Sequence, residues 1–446
     1  MFTDRIDALS STLPLITALT VQMVTQVAEE LKKAAAMAQS TQREYEEAPT
    51  RRKLEIITAR NTQIRKATHT VNQTRVTVID IPRSFLITLV SQFDTFLGGL
   101  IRTIYSTQPK ILNISDKNLP YSELLEFNSL TDAREYIIER EVDLVLRGSH
   151  EEQLEYLEKR VNLLLREQLA AWPKFIELTE RRNLYVHTNG LVSQQYLSIC
   201  KRNNVPIASD CKPGQELNVS LDYFHEACDC VYEVAVILAQ LIWRKLLPTQ
   251  IADAEDELNE LCVRLLQKEK YKLAKRLLIF ATENVKVKAK TSNSEQMRLI
   301  LLLNKAQAYK WSGEQDEARK IIEAVDWSAY KDSLRLGAAV LTEDYDQAVK
   351  IMESIGVSGE VSTLAYKTWP IFRDFRQSEA FLAAYFDIFD ELFIPDLVVP
   401  DLEVMEAVAK LELEREGSDS EGEEGKAQGI VIPPKLLELV DSDNRP

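Results

Sequence analysis

Glu180-Arg181-Arg182-Asn183-Leu184-Tyr185-Val186-His187-Thr188-Asn189-Gly190 is one of the few places where this chain gathers polar and reactive side chains inside an apolar, helix-patterned region. Arg182 and His187 have four residues between them, and Asn183 follows the Arg directly. Arg is a permanent cation with a planar fork suited to phosphate. His takes up and releases a proton near neutral pH. The two together are the smallest set of side chains that can break a phosphodiester without a metal. The other histidines, His69, His150 and His225, have no Arg at that spacing. On an ideal helix five steps place Arg182 and His187 about 140° apart. The two reach one point only if the helix is irregular or ends, or if a second copy faces it. Asn189-Gly190 is a stop signal just after the His. The plain structural alternative is His187 as a satisfied helix-end residue and Arg182 in an ion pair.

Upstream, Phe175, Ile176 and Leu178 open this helix after the break at Trp172-Pro173. Helices are expected at about 120–146 and 151–171, with a loop at 106–119. A broad apolar face (Phe85, Leu89, Phe93, Phe96, Leu100, Ile104) predicts a buried helix from Arg83 to Tyr105. Asp94 lies among those residues, and a buried acid needs a partner. It reads either as a surface acid or as support beside the candidate site. Val76-Thr77-Val78-Ile79-Asp80-Ile81-Pro82 reads as an extended linker, with Pro82 opening the next helix. Before it stand two helices. One is amphipathic and runs to about Ala38; the other starts at Pro49-Thr50. Arg51 to Arg75 carries seven bases and one acid. That makes Arg51, Arg52, Lys53, Arg60, Arg65 and Lys66 candidates for contact with RNA phosphates or with an acidic partner, and Arg181 is a further candidate for RNA. A solvated helix face is the competing reading.

Downstream, a loop at 203–219 precedes a buried helix at about 221–246. Beyond Pro248 the pattern changes. "LCVRLLQKEKYKLAKRLL", "AQAYKWSGEQDEARKII" and "LGAAVLTEDYDQAVKIM" place Tyr and Ala where paired helices approach closely. A final pair built from "WPIFRDFRQSEAFLAAYFDIFDELF" would put Trp369, Phe372, Phe375 and Phe381 in its core. Glu416 to Gly425 holds five acids, three Gly and two Ser, the composition of a disordered tail.

The 446 residues carry a net charge of −15, which argues against broad nonspecific nucleic-acid binding but leaves room for a local basic groove. Five cysteines, with Cys228 and Cys230 one residue apart, fit neither a disulfide framework nor a metal pair. They read as reduced thiols of a cytoplasmic protein. The uncharged run Ala8–Ala28 is long enough to span a bilayer, but its Ser, Thr and Gln argue against insertion. No Gly-rich phosphate loop and no His/Cys metal cluster is visible, so neither a cofactor nor a metal is expected.

The run "ERRNLYVHTNGLVSQQYL", preceded by "FLITLVSQFDTFLGGLIRTIY", resembles the HEPN superfamily of prokaryotic helical domains. Arg182, Asn183 and His187 stand at its three motif positions, and the resemblance covers about 76–248. It implies a bundle of four or five helices and a homodimer whose two motifs line one cleft. Members with the intact motif are commonly metal-independent endoribonucleases of toxin–antitoxin, CRISPR-linked and antiviral systems. The downstream helix pairs resemble degenerate tetratricopeptide repeats, which imply a surface for a protein partner. The resulting expectation is an all-α chain: a helical extension (1–75), a HEPN-like bundle (76–248), helix-turn-helix repeats (249–395) and a tail (396–446) with an acidic segment at 416–429. The functional expectation is an RNA-cleaving effector. A non-catalytic adaptor that dimerises and recruits proteins is the alternative.

Overall fold

A computed structural model describes residues 2–114, 119–208, 211–284 and 294–394. Expectations for the tail and its acidic segment lie outside the described residues. The described chain is all-α. Its one β feature is an isolated antiparallel bridge between Leu191 and Glu216.

Two long helices open the chain, α1 (Phe2–Glu47) and α2 (Thr50–Thr107), joined at Ala48-Pro49 as an antiparallel hairpin. The expected linker at 76–82 does not exist, because α2 runs through it. β-branched residues and an internal proline are poor helix formers, and Pro removes one ladder bond. Threonine hydroxyls bond back one turn in this stretch, Thr74 to the Thr70 carbonyl and Thr77 to that of Gln73. More important, α1 packs along α2, and tertiary packing outweighs local propensity. The boundary between extension and bundle at residues 75 and 76 therefore falls inside one helix.

The N-terminal end of α1 belongs to the body. Ile6 and Leu13 are buried in its core. Asp7 pairs with Lys268 at 2.6 Å and with Lys270 at 2.7 Å. Farther along, α1 leaves Leu15 (67% exposed), Leu19 (60%) and Met23 (50%) facing solvent. Phe2–Met37 and Thr50–Thr107 are each long and apolar enough to cross a bilayer.

The second half of α2 is the spine of the body. Its stripe of Leu86, Leu89, Val90, Phe93, Leu97 and Ile101 is wholly buried. Around it pack α4 (Leu130–Leu146), α5 (His150–Val161), α6 (Trp172–Thr188) and α8 (Leu221–Leu246), while α7 (Gln194–Arg202) packs on α6 with a small core of its own. A single turn, α3 (Tyr121–Leu124), precedes α4, so the helix expected over 120–146 is split before the Ser129 cap. Ser149 caps α5 with Glu152 in a capping box, and Asn162 ends it in the left-handed conformation. The helix expected to reach 171 stops ten residues early for that reason.

The same core continues into α9 (Ile251–Gln267) and α10 (Tyr271–Ile279) through Leu258, Cys262 and Leu277. Two further hairpins follow, α11 (Ser294–Trp311) with α12 (Gln315–Glu323) and α13 (Asp332–Leu341) with α14 (Tyr345–Ile355). Ala274, Ala306 and Ala348 are fully buried where these helices meet. Between α15 (Thr363–Thr368) and α16 (Glu379–Phe389) Phe372 and Phe375 are buried as expected, and so is Phe381 in α16. Trp369 is not a core residue, since 42% of it is exposed.

Candidate functional site

α6 carries the motif as an unbroken helix through Thr188. Arg182 and His187 stay about 140° and 7.5 Å of rise apart. Within one chain they do not converge. The helix ends where the sequence says it should. Asn189 takes the left-handed conformation (φ 52°), and Gly190 follows at φ 83°. A Cβ at Gly190 would come 2.9 Å from a Tyr185 ring carbon, so both backbone angle and close packing require glycine there.

Arg182 leans toward α2. Its Nη2 donates to Asp94 Oδ2 at 3.3 Å, while its Nε is buried without an acceptor. His150 lies on the other side of the same carboxylate, its Nε2 3.0 Å from Asp94 Oδ1. His150 is 6% exposed, and its ring packs against both Phe93 and Phe175, which also touch each other. Asp94 thus joins a buried imidazole to a partly exposed guanidinium. Phe93 and Phe175 fix the imidazole, the imidazole fixes the carboxylate, and the carboxylate sets the direction of Arg182.

Asn183 Nδ2 donates to Glu180 Oε1 at 3.2 Å, one turn back, and in one chain it reaches neither His187 nor Arg182. Burial pushes the Glu180 carboxyl above the ordinary glutamate range, against the Asn183 hydrogen bond and the charges of His150 and Arg182. His187 is exposed and makes no hydrogen bond among the described residues. No family model, curated protein or solved structure matches the chain.

Arg181 turns to the opposite side of α6. Its Nε donates to Glu177 Oε1 at 2.7 Å, and its guanidinium lies 4.0 Å from the Tyr223 ring centroid. Tyr196 and Tyr223 hydroxyls also donate to Glu177, at 2.7 and 2.8 Å. Burial, followed by the Glu177 charge, holds both phenols well above the usual tyrosine range. Arg181 is committed to this cluster.

The basic residues of α2 lie elsewhere. Arg51, Arg52, Arg65 and Lys66 are exposed on the hairpin, Arg60 is half-buried, and Lys53 lies 5.3 Å over the Tyr45 ring. The place where α2 touches the end of α6 is Arg83. That side chain pairs with Glu216 at 2.5 Å, donates to Asn189 Oδ1 at 3.4 Å and covers the Tyr185 ring. Lys66 is seventeen residues from Arg83, about 26 Å along the helix. One chain therefore does not bring the candidate residues Arg51 to Lys66 to the motif.

Sequence reasoning missed His150 and Arg83. His150 lacked the Arg spacing, although its place inside the Ser149-x-x-Glu152 pattern, directly after the Ser, was visible. Arg83 showed itself only as a lone cation opening an apolar stripe. Among the described residues no three His, Cys, Asp or Glu side chains converge as a metal set.

Proposed function

We propose that this protein is a HEPN-type endoribonuclease that cuts RNA to 2′,3′-cyclic phosphate and 5′-hydroxyl ends in the cytoplasm. The observation that carries the reading is the contrast within α6. His187 is exposed with no hydrogen bond, while Arg182 is aimed by Asp94 and keeps an unpaired Nε. A proton-transfer group and an oriented anion binder are the two parts the chemistry needs.

Because the two side chains diverge in one chain, the active form is a homodimer with two motifs across one cleft. His187 takes the proton of the ribose 2′-OH. The 2′-oxygen attacks phosphorus, the P–O5′ bond breaks, and the partner subunit's His187 protonates the leaving oxygen. Arg182 stabilises the charge gathering on the phosphate. Asn183 gives up Glu180 to hold a phosphate oxygen or the imidazole. DNA, lacking the 2′-OH, is not cut. The helical hairpins after residue 249 act as degenerate tetratricopeptide repeats that bind a protein partner or sensor. An effector in antiviral defence or a toxin system is the setting that suits such an enzyme.

The test is cleavage of a labelled mixed-sequence RNA in EDTA by wild type, Arg182→Ala and His187→Ala, with expression toxicity scored beside it. Wild type alone should cut and leave cyclic-phosphate ends. Cutting that survives His187→Ala overturns the reading. So does a wild type that neither cuts nor slows growth. A non-catalytic adaptor is the second reading. It is favoured by one observation: the uncharged stretch of α1 exposes Leu15, Leu19 and Met23, an apolar face suited to assembly.

A further inference from the structure

A cavity of about 480 Å³ lies among α9, α11 and α13, far in sequence from the motif. Four carboxamides line it: Asn259, Gln296, Asn304 and Gln307. Asn304 Nδ2 donates to Asn259 Oδ1 at 2.8 Å, which leaves one acceptor and one donor of that pair turned to other use. Gln307 is 1% exposed, and its Nε2 has no acceptor in the protein. A buried donor without a partner is a standing cost to the fold, and a ligand acceptor would remove it. Ile300, Leu303 and Ile371 form the apolar wall. At the rim stand the half-exposed Trp369 and the exposed Lys331, which has no ion pair among the described residues. Glu360 also lines the cavity, its carboxylate held by the Ser333 backbone N–H at 2.7 Å.

The shape selects against a long ligand. The turn Pro370–Phe372 packs on both α9 and α13, so the chain itself crosses what would otherwise be an open groove. The volume suits one small molecule. A carboxamide not spent on another, as Asn259 and Asn304 are on each other, offers a donor and an acceptor side by side. That edge matches a planar ring with adjacent acceptor and donor atoms, as Asn and Gln match the edge of adenine. Apolar walls take the faces of such a ring, and an indole at the rim can stack on it.

We propose that this cavity binds a nucleobase-containing small molecule, a nucleoside or its monophosphate, with Gln307 reading the base edge and Lys331 placed to meet the phosphate. The proposal goes beyond the ribonuclease reading and does not depend on it. Isothermal titration of the full chain with adenosine, guanosine, cytidine, uridine and their 5′-monophosphates tests it, with the diketopiperazine of glycine as an amide edge lacking an aromatic ring. At least one nucleoside should saturate a single site per chain. Gln307→Leu should weaken it by about tenfold or more, the loss of one buried hydrogen bond, with thermal unfolding unchanged or raised. Gln307→Met repeats the test if the Leu variant does not fold. Lys331→Ala should weaken only the monophosphate, and equal binding of nucleoside and monophosphate by wild type removes Lys331 from the site. The proposal is overturned if no nucleoside or monophosphate saturates, if a folded Gln307 variant binds as well as wild type, or if the diketopiperazine binds more tightly than any nucleoside.

Discussion

Arg181 and Arg182 are adjacent in α6, and the two faces of that helix treat them oppositely. On one face Arg181, Tyr196 and Tyr223 all point at Glu177, so the carboxylate takes three donors on its two oxygens. On the other face Asp94 takes two donors, His150 and Arg182, and Arg182 keeps a nitrogen unpaired. Both clusters set a cation beside an acid. The first is saturated and buried, the condition of an ion pair that holds elements together. The second is incomplete: Asp94 has two donors, and the Arg182 Nε, like those of Arg83, Arg134 and Arg376, is buried without an acceptor. Counting charges would not have separated them; counting donors and acceptors does.

The comparison can be broken first at Glu177. Glu177→Ala leaves Arg181 and two phenols without their common acceptor, and it should cost about 3 kcal/mol, read as a lower denaturant midpoint. A loss near zero would make that cluster no more structural than its neighbour. Asp94→Ala should cost less, about 1–2 kcal/mol for the stranded His150 nitrogen. It should also lower RNA cleavage more than its effect on stability explains. His150→Phe tests the same chain from the buried end, since it keeps an aromatic ring against Phe93 and Phe175 and removes the hydrogen bond to Asp94. Cleavage should fall with the fold intact. His187→Ala should change stability by less than about 0.5 kcal/mol, because the side chain is exposed, yet it should abolish cleavage.

The smallest effect is a pH dependence. The Glu180 carboxyl is raised by burial, so the folded state favours its neutral form. Its contribution is fully present below the ordinary glutamate pKa and is lost as pH rises through the raised value. Glu180→Gln keeps an acceptor for Asn183 and removes the charge. It should therefore stabilise the protein above that window and leave stability unchanged below it, as urea titrations at two pH values would show. The thiols give a parallel check. Burial pushes Cys200 up to about 12, so it should resist alkylation at neutral pH until the protein unfolds.

The open face of α6 was legible only in part. Arg182, Asn183 and His187 stood out by residue type and spacing, and Asn189-Gly190 gave the helix end. Asp94 showed as an acid in an apolar stripe. Its partner did not show, because His150 is 56 residues away and nothing local links the two. The extended linker expected at 76–82 failed for a related reason. Val76, Thr77, Ile79 and Pro82 carry poor helix propensity and the first three are exposed, so the packing of α1 along α2 as a whole, between distant segments, decided the outcome.

The sequence by itself determined the all-α class, the buried stripe of α2, the helix stop at Asn189-Gly190, and the close-packed alanines of the later hairpins. Each follows from period or backbone angle, which are local properties. Only the tertiary structure decided which of two adjacent arginines is spent on the fold, that Asp94 serves both His150 and Arg182, and that Gln307 faces a cavity without a partner. Those outcomes depend on which distant donors and acceptors share a buried space, and no local pattern encodes that.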